Sequence, residues 1–516
     1  MDESTKPVDP LHQQLIGRLR ADLTGFTVDS VDELLGPVAH GALGREQALP
    51  ARRIVQQRPD EPLATLVAVF ILGLEVPRRQ LAAALPQLGT DGAAQLGLIQ
   101  ESGSGPDDAV RSVVDLRPYA AVDALGSADW WLISDPGELA TGHPLAEDHV
   151  LGVGGASITL ARCTIRQPVD RVLDLGTGCG VQALHAARHA RFVIGTDTSA
   201  RALRMAELNW LLNASTIDGT QMRTRRGSLL EPVLDQRFDL VVSNPPFVIT
   251  PRSLPGAGYE YRDAGLVGDE LVSRLITTVG SVLAPGGVAQ LLGNWEDRQN
   301  EGWVDRVTGW LADSGLDGWI VQRELQDPAE YAETWIRDAG QHRGKDADEL
   351  YAAWLADFAT RGVVGVGFGL VTLRRPLDAA QRPRLCRVEE RRSGPGLPTG
   401  NEVVSALRAA DWLAVRDDAA LLASVLQVSA DVTEERHHLP GVEDPSVILL
   451  RQGGAGRAVQ ASTALAGFVG ACSGELTVGQ LTGALAGLLE VPEADLTAEL
   501  LPAVRALITD GLLLPD

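Results

Sequence analysis

A series of short apolar segments, each followed by a turn and most of them by a helical stretch, constrains the fold of this chain more than any other feature. The segments cover residues 171–175, 191–195, 238–243, 287–293, 319–325 and 363–373. A strand, a turn and a crossover helix in repetition build a parallel sheet from βαβ units. The sequence therefore predicts an α/β fold of the Rossmann-like kind in the middle of the chain.

The regions on either side of these segments predict further domains. At 516 residues the chain is longer than one hydrophobic core usually serves. We expect a helical, winged-helix-like domain over 1–136, the α/β domain over 137–376, and a third domain over 377–516 that ends in a winged-helix-like unit.

Both flanking regions have the outline of a winged helix, in which helices precede a small hairpin. Apolar spacing and alternation indicate helices at 76–85, 93–99, 476–481 and 496–507 and strands at 110–116, 130–134 and 510–514. Winged-helix modules bind DNA or dock other proteins, and the outline alone leaves both roles open.

An insertion over 326–361 separates the last two predicted strands of the α/β domain. It carries Tyr331, Trp335, Tyr351 and Trp354 at spacings typical of two helices. Loops at the carboxyl ends of strands in an open α/β sheet border the ligand crevice, so one interpretation is a lid or substrate clamp. The other is a pair of surface helices that bury their aromatic rings against the sheet.

The charge balance of the chain limits its partners. Its 45 lysines and arginines face 68 aspartates and glutamates, which leaves a formal net charge of -23. Such a surface opposes non-specific attraction to phosphate backbones, although a local basic face can coexist with an acidic whole. We therefore expect a protein partner more than a nucleic acid.

Cysteine usage and hydropathy indicate a cytoplasmic protein. The four cysteines are dispersed and form no C-x-x-C pair, so neither a metal site nor a disulfide framework is predicted. The first residues lack the basic and apolar parts of a signal peptide. An apolar run over 63–74 is too short to cross a bilayer and predicts a buried helix instead.

The segment over 171–175 leads directly into a glycine-rich turn. Asp174 precedes this turn, which contains Gly176, Thr177, Gly178 and Gly180. Glycines let the backbone approach a ligand closely. A nicotinamide or flavin enzyme uses a similar turn, but valine stands where that fingerprint has its third glycine. Asp174 favours a cofactor with an ammonium group, such as S-adenosylmethionine, which the carboxylate would pair with directly or through water.

Two later positions add further candidate cofactor contacts. Asp197 ends the second predicted strand, where its carboxylate can accept hydrogen bonds from both hydroxyls of a ribose. Ser228 follows the third predicted strand. By position Ser228 either hydrogen-bonds an adenine amine or serves only as a turn residue.

The tetrapeptide Asn244-Pro245-Pro246-Phe247 directly follows the segment over 238–243. Two prolines directly after a buried strand end the ladder and restrict the backbone, so the Asn244 side chain and the Pro245 carbonyl become rigid acceptors. A planar amide or exocyclic amine donates two N–H groups to such acceptors, and Phe247 can stack on it. The tetrapeptide therefore predicts recognition of a planar NH2 group.

These motifs resemble the class I S-adenosylmethionine-dependent methyltransferases, in the families with an Asn-Pro-Pro-aromatic loop. The resemblance covers residues of about 140–375 and implies a seven-stranded Rossmann-like sheet with S-adenosylmethionine as cofactor. It assigns cofactor binding to Asp174, Gly176, Gly178, Gly180 and Asp197, and we add Thr177, Ser228 and Asn244 by their positions. It assigns recognition of the substrate nitrogen to Asn244, Pro245, Pro246 and Phe247.

Two stretches are similar to the eukaryotic and archaeal HemK-type branch, whose enzymes methylate a glutamine side chain in release factors. Residues 144–151 resemble the Pro-Ala-Glu-Asp segment that covers the cofactor in that branch. Residues 244–251 and 264–268 resemble its Asn-Pro-Pro-Tyr-Val-x-Thr-Pro and Ala-Gly-Gly-x-x-Gly stretches. The chain departs from the branch at Phe247, where tyrosine is usual, and at Ser228, where aspartate is usual.

These motifs and the charge balance allow three functions. The first is methylation of a protein glutamine amide, with a partner like a release factor. The second is methylation of an exocyclic amine of adenine or guanine in rRNA, tRNA or DNA, in which the flanking domains hold the nucleic acid. The third is a non-catalytic regulator that binds the cofactor, a role that would not require an intact Asn-Pro-Pro-Phe loop.

Overall fold

The computed structural model describes residues 10–217, 219–252, 261–338, 347–378, 385–391, 396–453 and 458–515. These residues form two compact units. The first comprises described residues within 1–162, 166–316 and 325–378, and the second those within 163–165, 317–324 and 379–516. The three-domain division expected from the sequence stays a prediction. The boundary expected between residues 136 and 137 falls inside the first unit.

The N-terminal part of the first unit is mainly helical. Its helices are α1 (Pro10–Asp22), α2 (Val28–Leu43), α3 (Leu49–Gln56), α4 (Pro62–Leu66), α5 (Arg78–Ala84), α6 (Gly89–Gln95) and α7 (Glu138–Thr141). Its strands are β1 (Val76–Pro77), β2 (Ile99–Glu101), β3 (Ala109–Ser112), β4 (Asp115–Asp123) and β5 (Gly126–Ser134). The first three strands form an antiparallel sheet in the order β1-β3-β2, and β4 and β5 form a hairpin.

Three predicted boundaries in this part are wrong. The helix expected over 76–85 begins only at Arg78, because Val76 and Pro77 pair with β3. The helix expected over 93–99 ends at Gln95, because Ile99 pairs with Ser112 as a strand. The strand expected over 110–116 divides into β3 and β4. In the two helix cases, pairing between strands overrides a local pattern that allows either state.

The apolar run over 63–74 is buried, as the sequence predicts. It continues α4 into a π-helical turn, Val67–Ile71, whose five side chains are all buried. The N-terminal part also packs against the α/β part of the same unit. Arg20 donates to the carbonyl oxygens of Leu211 and Leu212 at 2.5 and 2.9 Å. The Trp131 side chain packs against the apolar core of the N-terminal part, and its indole N–H donates to the carbonyl of Phe26 at 2.7 Å.

The α/β part follows. Its helices are α8 (Gly155–Cys163), α9 (Val181–Ala187), α10 (Ala200–Leu212), α11 (Glu270–Thr278), α12 (Trp303–Ser314), α13 (Pro328–Asp338) and α14 (Ala347–Thr360). Its strands are β6 (Val169–Leu175), β7 (Ala190–Asp197), β8 (Gln221–Arg226), β9 (Phe238–Ser243), β10 (Leu283–Arg298) and β12 (Val363–Arg374). Strand β11 (Asp317–Gln326) belongs to the first unit only from residue 325 on. The strand and helix alternation predicted from the sequence is confirmed.

Within the first unit the sheet runs in the order β12-β10-β9-β6-β7-β8. The strands from β10 to β8 are parallel, and β12 is antiparallel to β10. The neighbours of β6 are β7 on one side and β9 on the other, so the order of the strands reverses there. Open α/β sheets bind ligands at the carboxyl ends of the strands beside such a reversal. The registers bring the ends of β6, β7 and β9 level, since Leu175 pairs with Thr196 and with Ser243.

The second unit contains a strand that was not predicted from the sequence. Strand β13 (Cys386–Glu390) pairs in parallel with β11, whose residues 317–324 belong to this unit. The prediction of seven strands is therefore not confirmed as a count.

The rest of the second unit consists of short helices and strands. The helices are α15 (Gly400–Ala414), α16 (Asp418–Leu422), α17 (Thr463–Ala471), α18 (Val478–Leu489) and α19 (Glu493–Thr509). The strands are β14 (Val425–Val428), β15 (Val432–His438), β16 (Pro445–Gln452), β17 (Ala458–Ala461), β18 (Ser473–Thr477) and β19 (Leu513–Pro515). They form antiparallel sheets in the orders β18-β14-β19 and β15-β16-β17. The two helices and the terminal strand expected after residue 476 are present, and the winged-helix interpretation stays a prediction.

Candidate active site

A cleft of about 350 Å³ opens in the first unit at the carboxyl ends of β6, β7, β8 and β9. Most of the predicted site residues line it, namely Gly176, Thr177, Gly178, Asp197, Ser228, Asn244, Pro245 and Pro246. Asp174, Gly180 and Phe247 are not among its lining residues. The structure thus brings together motifs that are well separated in the sequence, as their positions after successive parallel strands predict.

The glycine-rich turn adopts a backbone that requires glycine. Gly176, Gly178 and Gly180 have φ values of +72°, +54° and +86°, in a region that residues with a side chain rarely adopt. A Cβ atom on Gly180 would also lie 3.0 Å from the Cβ of Ala206 on α10. The N–H groups of Gly176 and Thr177 both donate to the carbonyl of Thr196 at 2.9 Å, which fixes the turn on the neighbouring strand.

Asp174 lies behind this turn rather than on the cleft wall. The side chain is 1% exposed, and the Thr177 hydroxyl donates to its carboxylate at 2.6 Å. Burial raises the pKa of Asp174 to about 7, against the opposing effect of the hydrogen bonds from Thr177 and the Ala183 backbone. A contact between Asp174 and an ammonium group in the cleft therefore runs through Thr177 or water. The direct pairing that the sequence allowed does not fit this position.

The raised pKa of Asp174 gives a prediction for the stability of the ligand-free protein. An unfolded aspartate has a pKa near 3.9, so the folded state favours the proton and loses stability as the pH rises from about 4 through 7. Asp174→Asn keeps an acceptor for Thr177 but cannot ionise. We expect its melting temperature to exceed that of the wild type by about 2–4 °C at pH 8, and the difference to shrink as the pH falls to 5.

Thermal unfolding of both proteins across this pH range measures the difference. The matched control is Asp170→Asn, which changes an exposed aspartate near the start of β6. A variant at Asp174 that is less stable than the wild type at pH 8 would show that the ionised carboxylate stabilises the turn.

Asp197 connects the turn to the end of β7. Its carboxylate accepts from the N–H of Gly178 at 3.0 Å and from the N–H of Ser199 at 2.9 Å. The Ser199 hydroxyl in turn caps α10 by accepting from the N–H of Ala202. Burial raises the pKa of Asp197. The carboxylate also lines the cleft.

Ser228 lies in a tight turn after β8. The preceding N–H, of Gly227, donates to the carbonyl of Asp197 at 3.0 Å, and the Ser228 carbonyl accepts from Glu231 at 3.1 Å. The next residue, Leu229, has a φ of +48°, which costs about 1–2 kcal/mol in a residue with a branched side chain. Ser228 thus has a turn role and also lines the cleft. The structure is compatible with both interpretations of this serine.

The end of β9 presents Asn244 to the cleft. Its Oδ1 atom is buried and has no hydrogen-bond partner among the described residues. The position of the strand end is held by the Ser243 hydroxyl, which donates to the carbonyl of Leu175 at 2.7 Å. The carbonyl of Pro245 accepts from the N–H of Phe247 at 2.7 Å, which leaves one lone pair of that oxygen. Buried polar atoms are normally paired, so the Asn244 acceptor marks a place for a donor.

Phe247 is partly exposed beside the cleft. Its ring centroid lies 5.5 Å from that of Phe368 on β12, with the planes tilted by 53°. The chain after it is held by an isolated bridge between Phe247 and Asp263 and by the N–H of Val248, which donates to the carbonyl of Arg262 at 2.8 Å.

Several residues of the cleft were missed by reasoning from the sequence. His149, Ser157, Gln182, Asp263 and Arg274 all line it. His149 belongs to the segment 144–151, which the resemblance places over the cofactor. The remaining four carry no local signal, because their position depends on packing between elements distant in the sequence.

The charged residues of the cleft are mainly acidic. Its described lining residues include three aspartates, Asp148, Asp197 and Asp263, and one arginine, Arg274. The Asp263 side chain is 3% exposed and paired with Arg252, while Arg274 is exposed. Two further arginines contact lining residues from outside the lining, since Arg226 donates to the carbonyl of Thr198 and Arg252 donates to the Asp263 carboxylate.

Comparison with known proteins supports the methyltransferase class that the sequence motifs resemble. Residues 153–259 match the family described as methyltransferase small domain. Residues 23–112 and 405–515 match two families described as domains of unknown function, DUF7059 and DUF7782. These three matches fall one in each of the three regions expected from the sequence.

The relatives include methyltransferases named for a protein glutamine and one named for ribosomal RNA. A ribosomal protein uL3 glutamine methyltransferase of Bradyrhizobium diazoefficiens is 30% identical over 35% of this chain and 59% of its own length. A release factor glutamine methyltransferase of Xylella fastidiosa is 34% identical over 33% of this chain and 62% of its own. A ribosomal RNA small subunit methyltransferase C of Alcanivorax borkumensis is 33% identical over 25% of this chain and 33% of its own.

The chain thus spans less than two thirds of the length of these relatives. The matches support a HemK-like class I methyltransferase and leave its target open. Within the described residues, no helix combines the length and the apolar character needed to cross a membrane.

Proposed function

We propose that this protein is an S-adenosylmethionine-dependent N-methyltransferase that acts on a planar NH2 group, namely a protein glutamine amide. The observation that carries the proposal is the buried Asn244 Oδ1 atom, which has no partner among the described residues and stands at the end of β9 above the cleft. A polar atom in this state favours a ligand that donates a hydrogen bond.

The lining of the cleft fits S-adenosylmethionine. The positive-φ glycine turn lets the ligand approach the backbone, and Asp197 offers a carboxylate to the hydroxyls of a ribose. Asp174 and Thr177 form a polar pair at the turn that suits an ammonium group through Thr177 or water. Ser228 lines the cleft and is the proposed contact for the base. When bound, the cofactor supplies an electrophilic methyl group on sulfur.

The protein's own contribution is to orient the substrate nitrogen. Asn244 Oδ1 and the free lone pair of the Pro245 carbonyl accept the two N–H groups of a planar amide, and Phe247 supports its face. Two fixed acceptors hold the NH2 group so that its lone pair is directed into the cleft. Such positioning accounts for a large part of the rate in transfers that need no strong base.

The charge of the cleft favours a protein over a nucleic acid. Phosphate backbones need basic groups nearby, whereas the described lining has one arginine and three aspartates, of which Asp263 is paired with Arg252. The overall charge of -23 acts in the same direction. Methylation of an adenine or guanine amine in rRNA, tRNA or DNA is the alternative, and similarity to a ribosomal RNA methyltransferase supports it. A cytoplasmic location is part of the proposal.

Mass spectrometry of a deletion strain tests the target. We expect a glutamine of a release factor or ribosomal protein to lose its methyl group, and RNA and DNA modifications to stay unchanged. Complementation with the wild-type chain should restore the methyl group, and complementation with Asn244→Ala should not. Loss of a methylated adenine or guanine with unchanged protein glutamines would overturn the choice of target. Unchanged protein, RNA and DNA would favour the non-catalytic regulator.

A further inference from the structure

The insertion over 326–361 places one side chain against the Asn-Pro-Pro-Phe loop. Tyr331 lies on α13, and its side chain is 2% exposed. The Tyr331 hydroxyl oxygen accepts a hydrogen bond from the backbone N–H of Ile249 at 3.1 Å. It accepts a second from the side-chain amide of Asn294 at 2.6 Å. A single oxygen therefore joins the insertion, strand β10 and the chain two residues beyond Phe247.

The hydroxyl has a defined position because the ring below it is packed on several sides. Tyr331 belongs to an apolar cluster with Val248, Ile249, Trp354 and Phe358. Its ring centroid lies 5.9 Å from that of Phe358, edge to face, and 6.2 Å from that of Trp354. The aromatic residues of the insertion thus form a core with the segment after the loop, which matches the second interpretation of the insertion more than a free lid.

Asn294, the second hydrogen-bond partner of the Tyr331 hydroxyl, links Tyr331 to Phe247 through the neighbouring strand. Asn294 is 2% exposed on β10 and pairs across the sheet with Phe368 on β12. The ring of Phe368 in turn contacts that of Phe247. The loop is held on its other side where Val248 donates to the carbonyl of Arg262. Residues 247–249 are therefore fixed from two directions, and Tyr331 supplies one of them.

We infer that Tyr331 is a positioning residue for the Asn-Pro-Pro-Phe loop, and that the insertion acts in catalysis through its hydroxyl. The inference rests on the proposed function. Without the hydroxyl, the Ile249 N–H and the Asn294 amide lose a buried acceptor, and each must find another partner by moving. Movement of Ile249 shifts Phe247 and Asn244, whose placement sets the approach of the substrate nitrogen.

Tyr331→Phe tests this role, because it removes the oxygen and keeps the ring. We expect kcat to fall about 10- to 100-fold, since small displacements at an oriented site have effects of that size. The KM for S-adenosylmethionine should stay within about twofold, because Tyr331 does not line the cofactor cleft. Hydrogen exchange supplies a readout that is independent of activity. The Ile249 amide should exchange faster, while amides of the glycine-rich turn stay unchanged.

Tyr351→Phe is the matched control. Tyr351 lies on the second helix of the insertion, and its hydroxyl contacts only the exposed Glu333 among the described residues, at 3.3 Å. This variant should keep both kcat and the exchange of Ile249.

Wild-type kcat and exchange in Tyr331→Phe would overturn the inference. An equal loss of kcat and of cofactor affinity with faster exchange throughout the unit would show general unfolding and also overturn it. If the wild type transfers no methyl group to any substrate, the proposed function fails, while the exchange of Ile249 still tests the contact.

Discussion

Replacing Asn244 by alanine is expected to reduce methyl transfer about 100- to 1,000-fold, which is the range for loss of a single preorganised polar contact in a catalytic site. The Oδ1 atom is buried, unpartnered among the described residues and rigidly carried by the end of β9. Alanine removes the acceptor and leaves one substrate N–H without its partner in the cleft. The affinity for S-adenosylmethionine should change by no more than about threefold, because Asp197 and the glycine-rich turn remain.

Single-turnover assays with labelled cofactor separate these two effects. The control is Asn300→Ala, which changes an exposed asparagine outside the cleft lining. Asn244→Asp keeps the size and one acceptor oxygen but adds a charge, and we expect it to retain only a small part of the activity. Turnover at the wild-type rate in Asn244→Ala would remove the loop from the mechanism.

The central sheet and the cleft were predictable because their signals are local. Of the parallel strands β6 to β10, all except β8 contain a short apolar run, and each candidate residue lies at or just after the end of a strand. In a parallel sheet the carboxyl ends of the strands lie along one edge, so Gly176, Asp197, Ser228 and Asn244 had to meet. Periodicity, glycine and proline together were enough to locate this edge before any packing was known.

Other parts depended on contacts that no local pattern encodes. Asp174 is acidic and adjacent to the turn, which suggested a ligand contact either directly or through water, and its burial behind Thr177 leaves only the indirect contact. The contact between Tyr331 and the chain after the loop is a hydrogen bond that spans 82 residues. The spacing of Tyr331 to Trp335 predicts a helix and says nothing about what that helix touches.

The N-terminal errors have the same origin. Val76 and Ile99 stand in segments whose apolar spacing suits a helix, yet both pair with β3. A helix and a short strand compete closely over so few residues, and the outcome depends on whether a partner strand is available. Strand β13 was missed for a related reason. Its residues, Cys386–Glu390, are mostly polar or charged and become recognisable as a strand only beside β11.

The second large effect is expected at Asp197. Its carboxylate holds the turn through Gly178 and faces the cleft where the hydroxyls of a ribose would bind. Hydrogen bonds to a charged group contribute about 1.5–3 kcal/mol each, so loss of two of them in Asp197→Ala should weaken S-adenosylmethionine binding at least about 100-fold. Burial raises the pKa of Asp197, and because only the ionised form accepts both hydroxyls, wild-type affinity should also fall as the pH is lowered.

Calorimetric titration of the purified protein measures this affinity directly. Asp170→Ala is the control, since it removes an exposed carboxylate near the start of β6. Asp197→Asn separates the two tasks of the side chain. One oxygen remains to accept from Gly178 or Ser199, so the turn should stay folded, whereas the charge that strengthens the ribose contacts is gone. Affinity at the wild-type level in Asp197→Ala would place the cofactor's ribose elsewhere and would separate this cleft from the cofactor arrangement that the glycine-rich turn suggests.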